Sequence, residues 1–211
     1  MEVVLVKYHG GNLRSVENAL RRLGIEPTLS DDAQVLQRAD RVILPGQGEA
    51  SQTMADLRAR GLDGVIRGLK QPVLGICIGM QLFCRHSDEG NTDCLGIFDV
   101  PVRKFVPNSA ELKVPHMGWN ALLPADGSET DLGQTFDNPL LRGVNVGDYV
   151  YFVHSYYAPL CAQTIAASDY AGPFSAVLRQ DNFWATQFHP EKSGDVGAKI
   201  LRNFLELKNV K

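Results

Sequence analysis

Cys77 lies two residues after Gly75 and two before Gly79 in the run PVLGICIGMQ (72–81), where a short apolar strand, Pro72 to Ile76, gives way to the opening turns of a helix, Met80 to Arg85. Gly-X-nucleophile-X-Gly at such a junction has the spacing of an elbow that pushes a reactive side chain out at the end of a strand. Glycine on either side lets the chain turn sharply without Cβ clashes. An ordinary thiol, pKa ~8.5, is only about 3% thiolate at neutral pH. A helix N-terminus stabilises the anion in part, and an imidazole oriented by its own acceptor completes the activation. His189 meets that need in QFHPEKS (187–193), at the end of the apolar strand Phe183 to Phe188, with Glu191 following across Pro190. In extended chain, positions i and i+2 share a face and the proline stiffens the segment. His189 would take the thiol proton while Glu191 holds its other nitrogen.

The elements that must position these groups follow from periodicity. Val3 to Val6 is an apolar strand; Leu13, Val16, Leu20 and Leu23 then recur at helical spacing, closed by Gly24. Pro27 to Ser30 is a second short strand, and Ser30 or Asp31 caps a helix running to Ala39. Arg41 to Leu44 is the third strand, ending in the turn Pro45, Gly46, Gln47, Gly48, with helix from Thr53 to Arg60 and again toward Leu69. Strands alternating with helices at this spacing build a parallel sheet covered on both faces.

The second half is different. Phe98 to Phe105, Tyr149 to Tyr156, Thr164 to Ala167, Ser175 to Arg179 and Phe183 to Phe188 are rich in β-branched and aromatic residues, with Asp181 and Asn182 as a tight turn. Those are antiparallel signals. Val196 to Leu207 is a closing amphipathic helix, and Pro124 to Gly133 a polar surface loop. The fold class is therefore α/β: an open, mostly parallel sheet with helices on both faces and an antiparallel extension in the C-terminal half. No repeat or linker divides the chain, so residues 1–211 read as a single domain. In open α/β sheets, reacting groups collect at the carboxyl ends of the strands, which puts Cys77, the 45–48 turn and the segment after the first strand on one rim.

Composition removes several classes of function. A net charge of −3 gives no electrostatic reason to expect nucleic acid or an anionic membrane as partner. The start of the chain lacks the basic-then-apolar pattern of an export signal and no apolar run approaches a membrane span, so the expected location is cytoplasmic. Cys77, Cys84, Cys94 and Cys161 show no CxxC spacing, which argues against zinc; the last three read as small buried hydrophobes. HGGNLR (9–14) lacks the GxGxxG spacing of a dinucleotide site. His116 and His154 have the look of hydrogen-bonded structural histidines.

The elbow GICIGMQ with a distant QFHPE resembles the class I, or triad, glutamine amidotransferases, over nearly the whole chain. VPHMGWN (114–120), YFVHSYY (151–157), KYHGGNLRSV and HPEKS are similar to the branch that serves imidazole glycerol phosphate synthase in histidine biosynthesis. The resemblance implies a flavodoxin-like sheet and a glutaminase in which Cys77 is the nucleophile, His189 the general acid and base, and Glu191 its partner. It implies an oxyanion hole from the amides of Ile78 and Gln47, and substrate contacts from Gly46, Gln81, Ser155 and Tyr156. It implies a heterodimer with a (β/α)8-barrel cyclase subunit, docked through a face near Asn12, Met117, Trp119, Tyr151 and Lys192. Trp119 and Tyr151 could instead be core aromatics. No metal or organic cofactor is implied. The chain departs from the family at Gln47, where a small apolar residue is usual, and at His9, where glycine is frequent. A subunit feeding another acceptor, a non-catalytic subunit that kept the fold and a stand-alone cysteine hydrolase remain the alternatives.

Overall fold

Strand β1 (Val3–Val6) enters the centre of the molecule, and each of its four residues is buried. The computed structural model describes residues 1–8, 13–107 and 112–208; Asn12 and His9 lie outside them. In chain order β1 is followed by α1 (Arg14–Arg22), β2 (Thr28–Ser30), α2 (Ala33–Arg38), β3 (Arg41–Leu44), α3 (Ala50–Ala59), α4 (Leu62–Gly68) and β4 (Val73–Ile76). Then come α5 (Ile78–Phe83), β5 (Cys84–Ser87), β6 (Thr92–Asp93), β7 (Phe98–Lys104), β8 (His116–Ala121), β9 (Tyr149–His154) and β10 (Tyr156–Tyr157). The chain closes with β11 (Thr164–Asp169), β12 (Pro173–Gln180), β13 (Phe183–Thr186), a 3-10 turn (Pro190–Lys192) and α6 (Gly194–Glu206).

Among the described residues the main sheet has seven strands in the order β11-β12-β13-β4-β3-β1-β2. From β13 to β2 the pairings are parallel, whereas β11, β12 and β13 pair antiparallel. The parallel part has the flavodoxin-like 2-1-3-4-5 order, which creates a crevice at the carboxyl ends of its strands. Side chains alternate between two cores: Val4, Val6, Val42, Leu44 and Val73 pack on one face with Met54, Ile66 and Phe83, while Val3, Leu5, Ile43, Leu74 and Ile76 pack on the other with Leu20, Phe152, Phe174 and Phe204. Burial on both faces is why these strands read as continuous apolar runs rather than alternating ones. No helix among the described residues is long and apolar enough to cross a membrane.

Several local expectations shift. The cap of α2 is Asp32, which accepts from Gln34 N at 2.7 Å and Val35 N at 3.3 Å; Ser30 serves one step earlier, accepting from Asp32 N at 3.0 Å. Helix α3 starts at Ala50 because Glu49 caps it, accepting from Ser51 N and Gln52 N. The helix after Cys77 begins at once, at Ile78, and stops at Phe83. Cys84–Ser87 is then a strand, drawn into pairing with β6 and β7. Strand β8, His116–Ala121, has few β-branched residues to announce it and is fixed by its antiparallel partner β9.

Two glycines set the spacing between layers. A Cβ on Gly79 would stand 2.2 Å from Leu44 O, and one on Gly75 would stand 2.7 Å from the Gly79 backbone. Helix α5 can therefore lie against the sheet only if both positions lack side chains. Gly79→Ala must push α5 away from β3 and is expected to cost about 2 kcal/mol, in the range for overpacking. Gly64→Ala, at a helical site with open space around it, is expected to be neutral or slightly stabilising. Urea denaturation of both variants checks the contrast, and equal midpoints would refute it.

Candidate active site

Cys77 joins β4 to α5 at φ 50° and ψ −104°, a left-handed conformation that non-glycine residues rarely adopt. The cysteine, and neither neighbouring glycine, takes the strained backbone; Gly75 and Gly79 supply close approach instead. Bonds on both sides hold the strain: Cys77 N donates to Thr186 O at 2.7 Å, and Gln81 N donates to Cys77 O at 3.2 Å. The thiol is nearly buried, at 8% exposure, with Val153 O 3.8 Å and Gln187 Nε2 3.7 Å from the sulfur.

His189 arrives from the next strand of the sheet, three residues past the end of β13, and lines the same cavity as Cys77. Its Nδ1 lies 2.8 Å from Glu191 Oε1. A carboxylate can only accept, so Nδ1 carries a proton and Nε2 serves the sulfur. The pairing is not made along an extended strand, as the i, i+2 spacing suggests. Pro190–Lys192 forms a 3-10 turn that folds Glu191 back onto the ring. That turn is clamped: His189 N donates to Tyr151 O at 2.9 Å, and Ser193 Oγ donates to His189 O at 2.6 Å while accepting from Tyr151 N at 3.0 Å. Gly197 of α6 lies so close that a Cβ there would be 1.9 Å from Pro190 O.

Burial alone would pull the His189 imidazole down. The charge and hydrogen bond of the Cys77 sulfur, joined by Glu191, outweigh it and push the ring up to about 10. Both His189 and Glu191 are buried, and Glu191 Oε2 has no hydrogen-bond partner within the described protein. An unpartnered carboxylate oxygen behind the ring favours the imidazolium. His86 also has a carboxylate two residues on, Asp88, but pairs with Asp93 at 3.0 Å, on strands β5 and β6, and does not line the cavity of Cys77. Burial pushes the Cys84 thiol up, and the Cys94 thiol to about 12.

A cavity of about 470 Å³ opens over Cys77. Gly46, Gln47, Ile78, Gln81, Ser155, Tyr156, His189 and Lys192, each singled out in the sequence, line it together with Cys77, while Glu191 stands behind His189. Gly46 must be glycine because a Cβ there would fall 2.3 Å from Ile76 O. The Gln47 N–H is engaged with Tyr8 Oη at 3.4 Å, and the same hydroxyl is 2.7 Å from Pro45 O and 2.9 Å from Gln47 O. Gln81 is buried, its Nε2 donating to Tyr156 O at 2.9 Å and Gln187 Oε1 at 3.1 Å. Met117 and Trp119 are not core: they are 64% and 55% exposed, and Trp119 meets half-buried Tyr151 edge to face at 6.0 Å.

The sequence reading missed Glu89, His154 and Gln187 around this cavity, and Tyr8 beneath the 45–48 turn. Glu89 lines the cavity, held by Ala50 N at 2.8 Å, with its carboxyl raised first by burial. An acidic residue in a polar turn carries no local mark of such a role; the β5–β6 hairpin must first fold against α3.

Residues 4–207 match the model of the class-I glutamine amidotransferase family. Imidazole glycerol phosphate synthase subunit HisH of Bacteroides thetaiotaomicron is 56% identical over 98% of this chain and 100% of its own length. The chain belongs to the class-I glutamine amidotransferases. The HisH subunit of Xanthomonas campestris pv. campestris (strain 8004) is 48% identical over 98% of both chains. A crystal structure of a glutamine amidotransferase shares the fold, with a TM-score of 0.69 at 20% identity over 98% of each chain. The open sheet and its elbow are thus the amidotransferase architecture, and the Cys77 elbow stands at the crevice that this architecture forms.

The thiols of this amidotransferase should separate by reactivity. Iodoacetamide at pH 7 is expected to label Cys77 ahead of Cys84 and Cys94, whose anions burial disfavours. Glu191→Gln removes the charge that supports the imidazolium and should slow labelling at Cys77 by about tenfold. Peptide mass mapping against time measures this; labelling that is unchanged in Glu191→Gln would break the link between the carboxylate and the thiol.

Proposed function

We propose that Cys77, His189 and Glu191 hydrolyse the side-chain amide of glutamine, and that the chain works as the glutaminase subunit of imidazole glycerol phosphate synthase. The observation that carries the reading is a strained cysteine at a strand end, sharing one cavity with a histidine whose Nδ1 is held by a buried glutamate. On this reading residues 1–211 form one amidotransferase domain.

Glutamine enters the cavity with its side-chain amide over Cys77. The ammonium group finds the Glu89 carboxylate, and the backbone around Ser155 and Tyr156 cradles the amino acid end, in a wall held by Gln81. The thiolate attacks the amide carbon, and charge gathers on the carbonyl oxygen. The N–H of Ile78, first residue of α5, points from a helix N-terminus toward that charge. The Gln47 amide is the second donor once its peptide turns away from Tyr8. His189 gives its proton to the departing nitrogen, so ammonia leaves and a γ-glutamyl thioester remains. A water molecule then loses a proton to His189 and attacks the thioester, and the proton returns to the sulfur as glutamate is released.

Ammonia set free in water at neutral pH is almost entirely ammonium, which has no lone pair for attack. The product is useful only if it passes directly to a second site. Met117 and Trp119 are exposed, with half-buried Tyr151 against Trp119 and Lys192 at the edge of the cavity, and the resemblance adds Asn12, which lies outside the described residues. We assign this face to docking of the barrel-shaped cyclase subunit. The cyclase uses the ammonia to form imidazole glycerol phosphate and an aminoimidazole carboxamide ribotide.

Cys77→Ala is expected to abolish glutamine-dependent synthesis by the complex while leaving ammonia-dependent synthesis largely intact near pH 8.5. Assays with both nitrogen sources decide it, and normal glutamine turnover in the variant would sink the nucleophile assignment. Trp119→Ala should weaken association with the cyclase by about 2 kcal/mol, as for a buried aromatic hot spot, without lowering the stability of the free chain. Calorimetric titration and thermal melts separate the two effects; unchanged affinity would remove Trp119 from the interface.

A further inference from the structure

Two histidines that the proposed chemistry does not use, His154 in the cavity wall and His116 beside it, are hydrogen-bonded to each other. His116 Nδ1 and His154 Nε2 are 3.1 Å apart, on facing positions of β8 and β9, and both rings are buried. His154 Nδ1 is 2.7 Å from Tyr156 O, the same carbonyl that accepts from Gln81 Nε2 at 2.9 Å. Burial pulls both imidazoles down, His116 to about 4 and His154 to about 3, so at neutral pH each ring carries one proton.

Neutrality fixes every proton in the chain of contacts. A carbonyl only accepts, so His154 must carry its proton on Nδ1. Its Nε2 is then bare and must accept, which requires the proton of His116 on Nδ1. That leaves His116 Nε2 bare, facing Asn120 Nδ2 at 3.5 Å, whose main bond is to Asp169 O at 2.7 Å. All the bonds run one way, from β8 inward to Tyr156.

The terminus of this relay is a corner. The chain leaves β9, which pairs with β8, bends at Ser155, and enters β10, which pairs with β7. Ser155 and Tyr156, the residues on that bend, line the cavity. The bond from His154 to the carbonyl two residues on closes the corner, while Ser155 O is tied to Phe105 N at 3.0 Å.

We propose that His116 and His154 are positioning residues for glutamine: their one-way hydrogen bonds lock the bend at Ser155 and so shape the wall against which the substrate lies. The same strands bear the exposed docking residues, with Trp119 opposite Tyr151 in the register that sets His116 opposite His154. The imidazoles take the buried face of this strand pair and Met117 and Trp119 its exposed face. The inference rests on the reading of this cavity as the glutamine site.

His116 is also stacked between Tyr170, at 4.1 Å, and Phe152, at 5.0 Å, so a packing role must be told apart from a hydrogen-bonding one. Two variants do so in opposite directions. His116→Phe keeps an aromatic ring in the stack and loses the donor; His116→Asn keeps a donor near Nδ1 and loses the ring. With the cyclase complex as enzyme, His116→Phe is expected to raise KM for glutamine about fivefold or more, the worth of one buried hydrogen bond, with kcat within about twofold. His116→Asn should stay close to the unsubstituted KM. The reverse order, with Asn impaired and Phe normal, would make His116 a packing residue and overturn the proposal. Nitrogen-15 NMR of the imidazoles in the unsubstituted protein at pH 7 is the second readout and needs no variant to fold. Two neutral rings, each protonated on Nδ1, are expected; His154 protonated on Nε2, or charged, would equally overturn it. If Cys77→Ala kept glutamine turnover, the site reading itself would fall, whatever the tautomers.

Discussion

The backbone at Cys77 is the constraint on which the rest of the site depends. A cysteine at φ 50° and ψ −104° persists only because its surroundings leave no relaxed alternative. Its N–H is fixed to β13 through Thr186 O, and its carbonyl accepts from Gln81 in the first turn of α5. That helix in turn presses so closely on β3 that Gly79 and Gly75 can bear no side chain. The order β13-β4-β3 is therefore more than a way to bury apolar surface. It brings His189 in on one side of the sulfur and the Gly46 turn in on the other, with the elbow held between them.

Two histidines in the same cavity wall illustrate how environment sets charge. Burial pulls His154 and His189 alike toward the neutral form. His154 faces a carbonyl and a second neutral imidazole and falls to about 3, whereas His189 faces the Cys77 sulfur and the Glu191 carboxylate and rises to about 10. One ring is held neutral and the other favoured as imidazolium by what lies opposite each nitrogen. The cost of burying Glu191 beside an apolar interior is offset by the imidazolium it favours. The glutamate needs the 3-10 turn to reach that ring, and the turn needs Gly197 to let α6 approach.

Much of this was legible in the linear chain. Apolar runs marked β1, β3 and β4 because both faces of a parallel strand are buried, and the Gly-X-Cys-X-Gly spacing marked the elbow because glycine alone allows such close approach. HPE marked His189 and its carboxylate partner, although the turn that joins them is 3-10 and not extended. These are local signals, carried by residues a few positions apart. Gly46, Gln81, Ser155 and Tyr156 came by resemblance, and the fold does bring them to one cavity.

What only the tertiary structure decided is which distant polar groups meet. Glu89 lies in a turn that looks like surface until the β5–β6 hairpin packs against α3. Tyr8 looks like the end of a strand until its hydroxyl reaches Pro45 and Gln47, 37 and 39 residues on. His116 and His154 look like unrelated structural histidines until β8 and β9 set them opposite one another. Hydrophobic periodicity is written every two or four residues because burial acts on each side chain separately. A hydrogen bond across strands depends on register and on the path of the backbone between them. Neither leaves a mark on the residues near the bond, so the chain by itself determined the sheet and the cysteine at its elbow, and the packed structure decided what surrounds it.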